Sequence, residues 1–207
     1  MADILAILKK TKAIITNSHI VLNSGRHTDT YINKDAVYPF TNEVSEIGQM
    51  FAKFWQDKTV DCVVGPALGG IILSQWTAYH LSRIKHKTIY SIYTEKTPDN
   101  NQIFTRGYDR FIKNKKILLV EDIMTTGGSV KRSIDSVRLA GGNVVGVSAM
   151  VNRDSKNVTI SSLDVPILQA LANIEVASYE EISCPLCKKN IPINTSVGHG
   201  KKFLLSK

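Results

Sequence analysis

The sequence predicts an α/β protein with a central, mostly parallel sheet flanked by helices. Short runs rich in Val, Ile and Leu alternate along the chain with segments of helical periodicity. The runs are apolar at nearly every position, as in strands covered on both faces. Turns of glycine and hydroxylated residues follow them, where the strands of such a sheet present their ligand-binding ends.

The elements can be justified in order. Ile4, Leu5 and Leu8 mark a short helical stripe. Val44, Ile47, Phe51 and Phe54 recur at helical spacing, which predicts a helix over 42–56 with Thr41 or Asn42 as N-cap. Val60-Asp61-Cys62-Val63-Val64 reads as a β-branched strand that ends at Gly65-Pro66, followed by Gly69-Gly70 and a helix over 71–84. Further strands are predicted over 88–93, 117–120, 143–151 and 166–171. A helix over 129–139 carries Val130, Ile134 and Val137 on one face.

The 207 residues fit one domain over 1–207, with a core large enough to need no disulfides. No apolar run approaches the roughly 20 residues that span a bilayer, so no membrane partner is expected. The start of the chain does not read as a signal peptide, and three cysteines, an odd count, suit a reducing compartment. The cytoplasm is the expected location. The net charge of +8 is concentrated in a basic tail over 183–207, with Lys188, Lys189, Lys201, Lys202, Lys207 and no acid. A nucleic-acid face is more often a basic stripe interleaved with aromatics, so no nucleic-acid partner is expected.

The segment from Ile117 to Ser129 carries the most chemistry. An apolar strand delivers two adjacent carboxylates, Glu121 and Asp122, and the turn Thr125-Thr126-Gly127-Gly128-Ser129 opens a helix. Backbone N–H groups freed at a helix N-terminus form a cup for a phosphate, glycine permits close approach, and the hydroxyls add donors. Carboxylates accept from vicinal sugar hydroxyls, can hold Mg²⁺, and favour positive charge on an adjacent anomeric carbon. The bland reading is a strand-to-helix turn capped by its own acids. A Gly-Lys-Ser/Thr ending and a Gly-x-Gly-x-x-Gly pattern are both absent, which argues against a P-loop NTPase or a dinucleotide binder.

This segment resembles the phosphoribosyl-pyrophosphate (PRPP) binding motif of the type I phosphoribosyltransferases. The resemblance implies that family's fold with an N-terminal hood, here 1–40, and assigns Glu121 and Asp122 to the ribose hydroxyls and Thr125 to Ser129 to the 5′-phosphate. The loop Ala67-Leu68-Gly69 would then face the pyrophosphate. Ser24-Gly25-Arg26 and Tyr31 resemble the hood of the orotate-using members, where main-chain groups and an aromatic wall meet the pyrimidine. Asn23 departs from the Lys or Arg that many members carry before this Ser-Gly. Thr125 matches a base-contacting threonine, and Arg153 matches an arginine set against the carboxylate of orotate. A plain surface arginine is the competing reading for Arg153.

The polar stretch from Thr94 to Lys116 is long enough to be functional. In the family such a loop closes over the reactants, and Lys96 and Arg106 would neutralise the pyrophosphate. Many orotate enzymes carry a histidine there; this chain has none. Cofactor and partners implied are Mg²⁺ carried on PRPP, with Asp122 a candidate ligand, then PRPP, orotate and a second copy in a homodimer. A purine-base transferase and a non-catalytic PRPP sensor on the same fold are the alternatives. Cys184-Pro-Leu-Cys187 has metal-ligand spacing, but only His199 lies nearby in sequence and a structural zinc needs four ligands, so no metal is expected there. His19, His80 and His86 have no evident partners.

Overall fold

The computed structural model describes residues 3–206; Met1, Ala2 and Lys207, the last of the tail lysines, lie outside the described residues. The chain opens with α1 (Ile4–Lys10) and four two-residue strands, β1 (Ile14–Ile15), β2 (Ile20–Val21), β3 (His27–Thr28) and β4 (Tyr31–Ile32). Helix α2 (Thr41–Trp55) leads to β5 (Cys62–Pro66), α3 (Gly69–Lys85), β6 (Tyr90–Lys96), β7 (Gln102–Ile103) and β8 (Lys116–Met124). Then come α4 (Gly128–Leu139), β9 (Asn143–Asn152), α5 (Ile160–Leu163), β10 (Leu168–Asn173), α6 (Pro185–Lys188) and α7 (Gly200–Leu205). The residues fall into two compact units, a larger one over Tyr38–Ile174 and a smaller one formed by Leu5–Val37 with residues from Glu175 onward.

The larger unit holds a six-stranded sheet in the order β10-β9-β8-β5-β6-β7, parallel throughout except for the β6–β7 pair. Alternate residues of its inner strands go to opposite faces. Cys62, Val64, Ile117, Leu119, Val147 and Ala149 pack with Val130, Ile134 and Val137 of α4 in one cluster. Ser148, of the other parity, accepts from Trp55 Nε1 of α2 at 2.7 Å. Burial of each large apolar side chain, such as Phe51 or Leu73, stabilises by about 1.5–3 kcal/mol. Burial also pushes the Cys62 thiol up to about 12, as befits an inert core residue.

Several expected boundaries move, each for a local reason. Helix α2 starts at Thr41 with Phe40 as N-cap, not Thr41 or Asn42, and no side chain caps it. The strand expected over 88–93 starts at Tyr90 because His86 ends α3 in the left-handed region and Ser82 binds the chain that follows. The N–H groups of Lys87 and Ile89 donate to Ser82 O and Oγ at 3.3 and 2.9 Å. Its far end reaches Lys96 because Glu95 and Lys96 pair with Ile103 and Gln102. Strand β8 continues to Met124, paired with Asn152, so Glu121 and Asp122 lie within the ladder. On α1 the buried stripe is Ile4, Ile7 and Leu8, while Leu5 is exposed.

The smaller unit pairs β1 with β4 and β2 with β3, both antiparallel. Among the described residues its buried apolar side chains are few: Ile7, Leu8, Ala13, Ile20, Val21, Ile32, Val37 and Cys184. Backbone bridges join His27 to Tyr179 and His19 to Ile193. The expectation that the cysteine pair lacks a second half, and that His19 has no partner, is corrected here. His19 and His27 converge on Cys184 and Cys187, with one ligand atom of each within 4.8 Å of all the others.

Candidate active site

The phosphate cup forms where β8 hands over to α4. Gly127 takes φ 69° as N-cap, and a Cβ there would fall 3.1 Å from Leu163 and 3.2 Å from Val158, so the turn requires glycine. The first N–H groups of this twelve-residue helix lack intrahelical partners and face the turn. Glu121, Thr125 to Ser129 and Arg132 line a cavity of about 130 Å³. Arg132, one turn into α4, adds a guanidinium to the cup, and its Nε is buried without a hydrogen-bond partner. Helical spacing from Gly128 was the signal that could have found it.

The two acids diverge. Consecutive strand residues point to opposite faces, so Glu121 joins the cup while Asp122 turns toward the loop before α3. Both are buried, at 7% and 3% exposure. Asp122 Oδ2 accepts from the Tyr38 hydroxyl at 2.6 Å, and Oδ1 accepts from the N–H of Ile123 at 2.6 Å. A Cβ on Gly69 would fall 1.7 Å from Asp122 Oδ2 and 2.1 Å from Tyr38 Oη, so the bare backbone of Gly69 is what admits this carboxylate. Leu68, joined to Ala67 by a cis peptide bond, is 79% exposed at the tip of the same loop. Tyr38 went unnoticed in the sequence because nothing local connects it to a residue 84 positions away.

The stretch from Thr94 to Lys116 is more ordered than a plain solvated loop. Thr94 Oγ1 bonds both Gln102 Oε1 and Ser133 Oγ at 2.9 Å, and Gln102 is 1% exposed. Phe104, Tyr108 and Phe111 pack against the core cluster. Lys96 is exposed at the end of β6. Arg106 Nε donates to Glu95 Oε1 at 2.7 Å, and Thr105 Oγ1 donates to Glu95 Oε2 at the same distance. Those partners, the Thr105 hydroxyl first, hold the Glu95 carboxyl below its usual range.

Arg153 follows β9 directly, and its N–H donates to Met124 O at 2.8 Å, which sets it beside the turn that begins at Thr125. In the smaller unit, Ser24 and Gly25 form the exposed tip between β2 and β3, with Gly25 at φ 79°. Tyr31 is half-buried in β4, paired with Ile15. Arg26 donates from Nε to Ser178 Oγ at 2.9 Å and from Nη2 to Ser178 O at 2.6 Å, and pairs with Glu180. Its guanidinium therefore ties the hairpin to the C-terminal segment.

A cup of amides and a cation, a pair of divergent carboxylates and a small-residue loop at one end of a parallel sheet suit a phosphorylated sugar bearing a second anionic group. The family model for the phosphoribosyl transferase domain matches residues 33–181, and the chain belongs to that family of pentosyl-transferring enzymes. Its curated relatives are more particular. The orotate phosphoribosyltransferase of Caldanaerobacter subterraneus is 34% identical over 190 residues, covering 92% of this chain and 93% of its own. That of Thermotoga maritima is 34% identical over 197 residues, covering 95% and 98%. Within the family the chain takes its place among the orotate phosphoribosyltransferases.

Solved structures share the fold. The orotate phosphoribosyltransferase of Mycobacterium tuberculosis superposes with a TM-score of 0.67 at 20% identity, over 83% of this chain and 97% of that one. The adenine phosphoribosyltransferase of Thermoanaerobacter pseudethanolicus gives 0.62 at 16%, over 82% and 99%. The architecture alone does not choose the base. Among the described residues no helix is long and apolar enough to cross a membrane.

Proposed function

We propose that this chain transfers the phosphoribosyl group of PRPP to orotate, giving orotidine 5′-monophosphate and pyrophosphate in UMP synthesis. The observation that carries this reading is Asp122, a buried carboxylate held by Tyr38 against Gly69, next to the amide cup that starts at Gly127. The amides of Gly127 to Ser129 and the Arg132 guanidinium bind the 5′-phosphate. Glu121 and Asp122 accept from the ribose hydroxyls and stabilise the positive charge that grows on the anomeric carbon as pyrophosphate leaves. Orotate N1, aligned by Arg153 through its carboxylate and by Thr125, attacks from the opposite side; Ser24, Gly25 and Tyr31 supply the hood. Arg26 serves that hood by holding it in shape.

The residues fit Mg²⁺ carried by the substrate. The donors beside the cup are hard oxygens, and Asp122, each of whose oxygens accepts a hydrogen bond, would hold the ion directly or through water. When bound, Mg²⁺ neutralises the departing pyrophosphate. Lys96 and Arg106 add cationic charge when the loop closes, with Arg106 released from Glu95. The working form is a homodimer in the cytoplasm.

The test is turnover with PRPP and Mg²⁺ against orotate, hypoxanthine, guanine and adenine. Orotidine 5′-monophosphate and pyrophosphate in equal amounts are expected. Turnover of a purine but not orotate would move the chain to the purine-base enzymes, and PRPP binding without turnover would make it a sensor.

A further inference from the structure

The smaller unit collects four metal-ligating side chains, two imidazoles and two thiols. His19 and His27 flank the β2–β3 hairpin, while Cys184 and Cys187 bracket the first turn of α6. The separations are 2.8 Å from His19 Nε2 to His27 Nδ1, 3.3 Å from Cys187 Sγ to His27 Nδ1, and 3.7 and 3.9 Å from Cys187 and Cys184 Sγ to His19 Nε2. A tetrahedral zinc, with bonds of about 2.05 Å to nitrogen and 2.3 Å to sulfur, places its ligand atoms about 3.3 Å apart for two nitrogens and about 3.5 Å for nitrogen and sulfur. Three of the four nitrogen–sulfur edges therefore lie within about 0.4 Å of the required length, the nitrogen pair need open only by about 0.5 Å, and all four ligand atoms lie within 4.8 Å of one another.

We propose that His19, His27, Cys184 and Cys187 bind a structural Zn²⁺ that fastens the N-terminal hairpin to the C-terminal segment. The donor set is that of closed structural zinc sites. His19 Nδ1 lies 2.7 Å from Ile191 O, so it keeps its proton to donate there and leaves the Nε2 lone pair facing the cluster. Such a backbone carbonyl partner is what orients metal-bound imidazoles. His27 and Cys184 are fully buried, His19 is 2% exposed and Cys187 is part-buried, so three of the four ligands are withdrawn from solvent, which suits a structural rather than a hydrolytic centre. Two thiolates balance the dication, so the filled site buries no net charge.

The unit also has a need for it. About 66 residues with two-residue strands bury little apolar surface, and domains below about 70 residues commonly rely on a metal or disulfides. The ligands come from the two ends of the chain, 160 residues apart for His27 and Cys187, so the ion closes a long loop. The thiols lose their protons on binding, which makes occupancy fall as pH falls.

The deciding measurement is metal content of the full chain purified without chelator and then reconstituted with zinc. About one zinc per chain is expected, and loading with Co²⁺ should produce the thiolate charge-transfer and strong visible bands of a tetrahedral cobalt site. Chelation should lower the unfolding temperature and expose both thiols to a thiol reagent. Cys184→Ser should lose the metal; should that variant fail to fold, His19→Cys decides, because a third thiolate retains zinc whereas a mere imidazole–imidazole hydrogen bond would be lost. Folded native protein with less than about 0.1 zinc per chain after reconstitution and no cobalt band would overturn the assignment.

Discussion

Tyr38→Phe isolates one hydroxyl whose partner is the acid at the centre of the site. The ring stays and the 2.6 Å bond to Asp122 Oδ2 goes. That length is typical of a hydroxyl donating to a carboxylate, and hydrogen bonds to charged groups contribute about 1.5–3 kcal/mol. Asp122 is 3% exposed, so water cannot replace the lost donor without opening the loop at Gly69. Unfolding of this chain should then be easier by about 1.5–3 kcal/mol, which for a domain of about 200 residues lowers Tm by about 3–12 °C. The same freed carboxylate swings away from the ribose, and kcat/KM for PRPP should fall about 10- to 100-fold. KM for orotate should stay within about twofold, since Tyr38 acts through Asp122 rather than on the base. Thermal melts and initial rates with PRPP varied measure both effects. A variant that melts with the parent and keeps its kcat/KM for PRPP would refute the view that Tyr38 positions this carboxylate.

Asp122→Asn should lower turnover about 100-fold with the fold intact by circular dichroism; an unfolded variant would make the residue structural instead. Gly69→Ala drives a methyl into the Asp122 carboxylate, so a loss of about 1–3 kcal/mol in stability and a collapse of PRPP binding are expected, and calorimetry showing normal PRPP affinity would contradict the geometry. Arg153→Ala should raise KM for orotate about tenfold or more while KM for PRPP barely moves; equal losses would remove the carboxylate contact. The Glu95 carboxyl titrates below its ordinary 4.5 in the folded chain, so its clamp on Thr105 and Arg106 contributes fully above that value and disappears as pH falls through the lowered one. Pepsin should cut the parent between Glu95 and Arg106 faster, relative to Glu95→Gln at the same pH, once that point is passed, and a parent-to-variant ratio that does not change with pH would sink the clamp.

What could be read from the sequence was whatever the chain encodes locally. The β8–α4 segment announces itself because strand, acids, glycine turn and helix start are contiguous, and their joint geometry follows from a single strand-to-helix handover. The β-branched runs likewise placed the four inner strands to within a few residues, and the misses came where a neighbour intervened. Ser82 delays β6, and pairing with β9 carries β8 past its acids. Even the divergence of Glu121 from Asp122 is a matter of strand parity, visible once the strand is known to extend beyond Val120. Tyr38 and the metal-ligand cluster are of another kind. The Tyr38 hydroxyl and the imidazoles of His19 and His27 acquire meaning only when segments 84 and 160 or more positions apart meet, and no periodicity marks the event. A cysteine pair at metal spacing is half of a statement. It is completed by residues whose own neighbourhoods, an Asn-Ser before His19 and a Gly-Arg before His27, carry no ligand pattern, so a search along the chain for the missing half fails where a search through space succeeds.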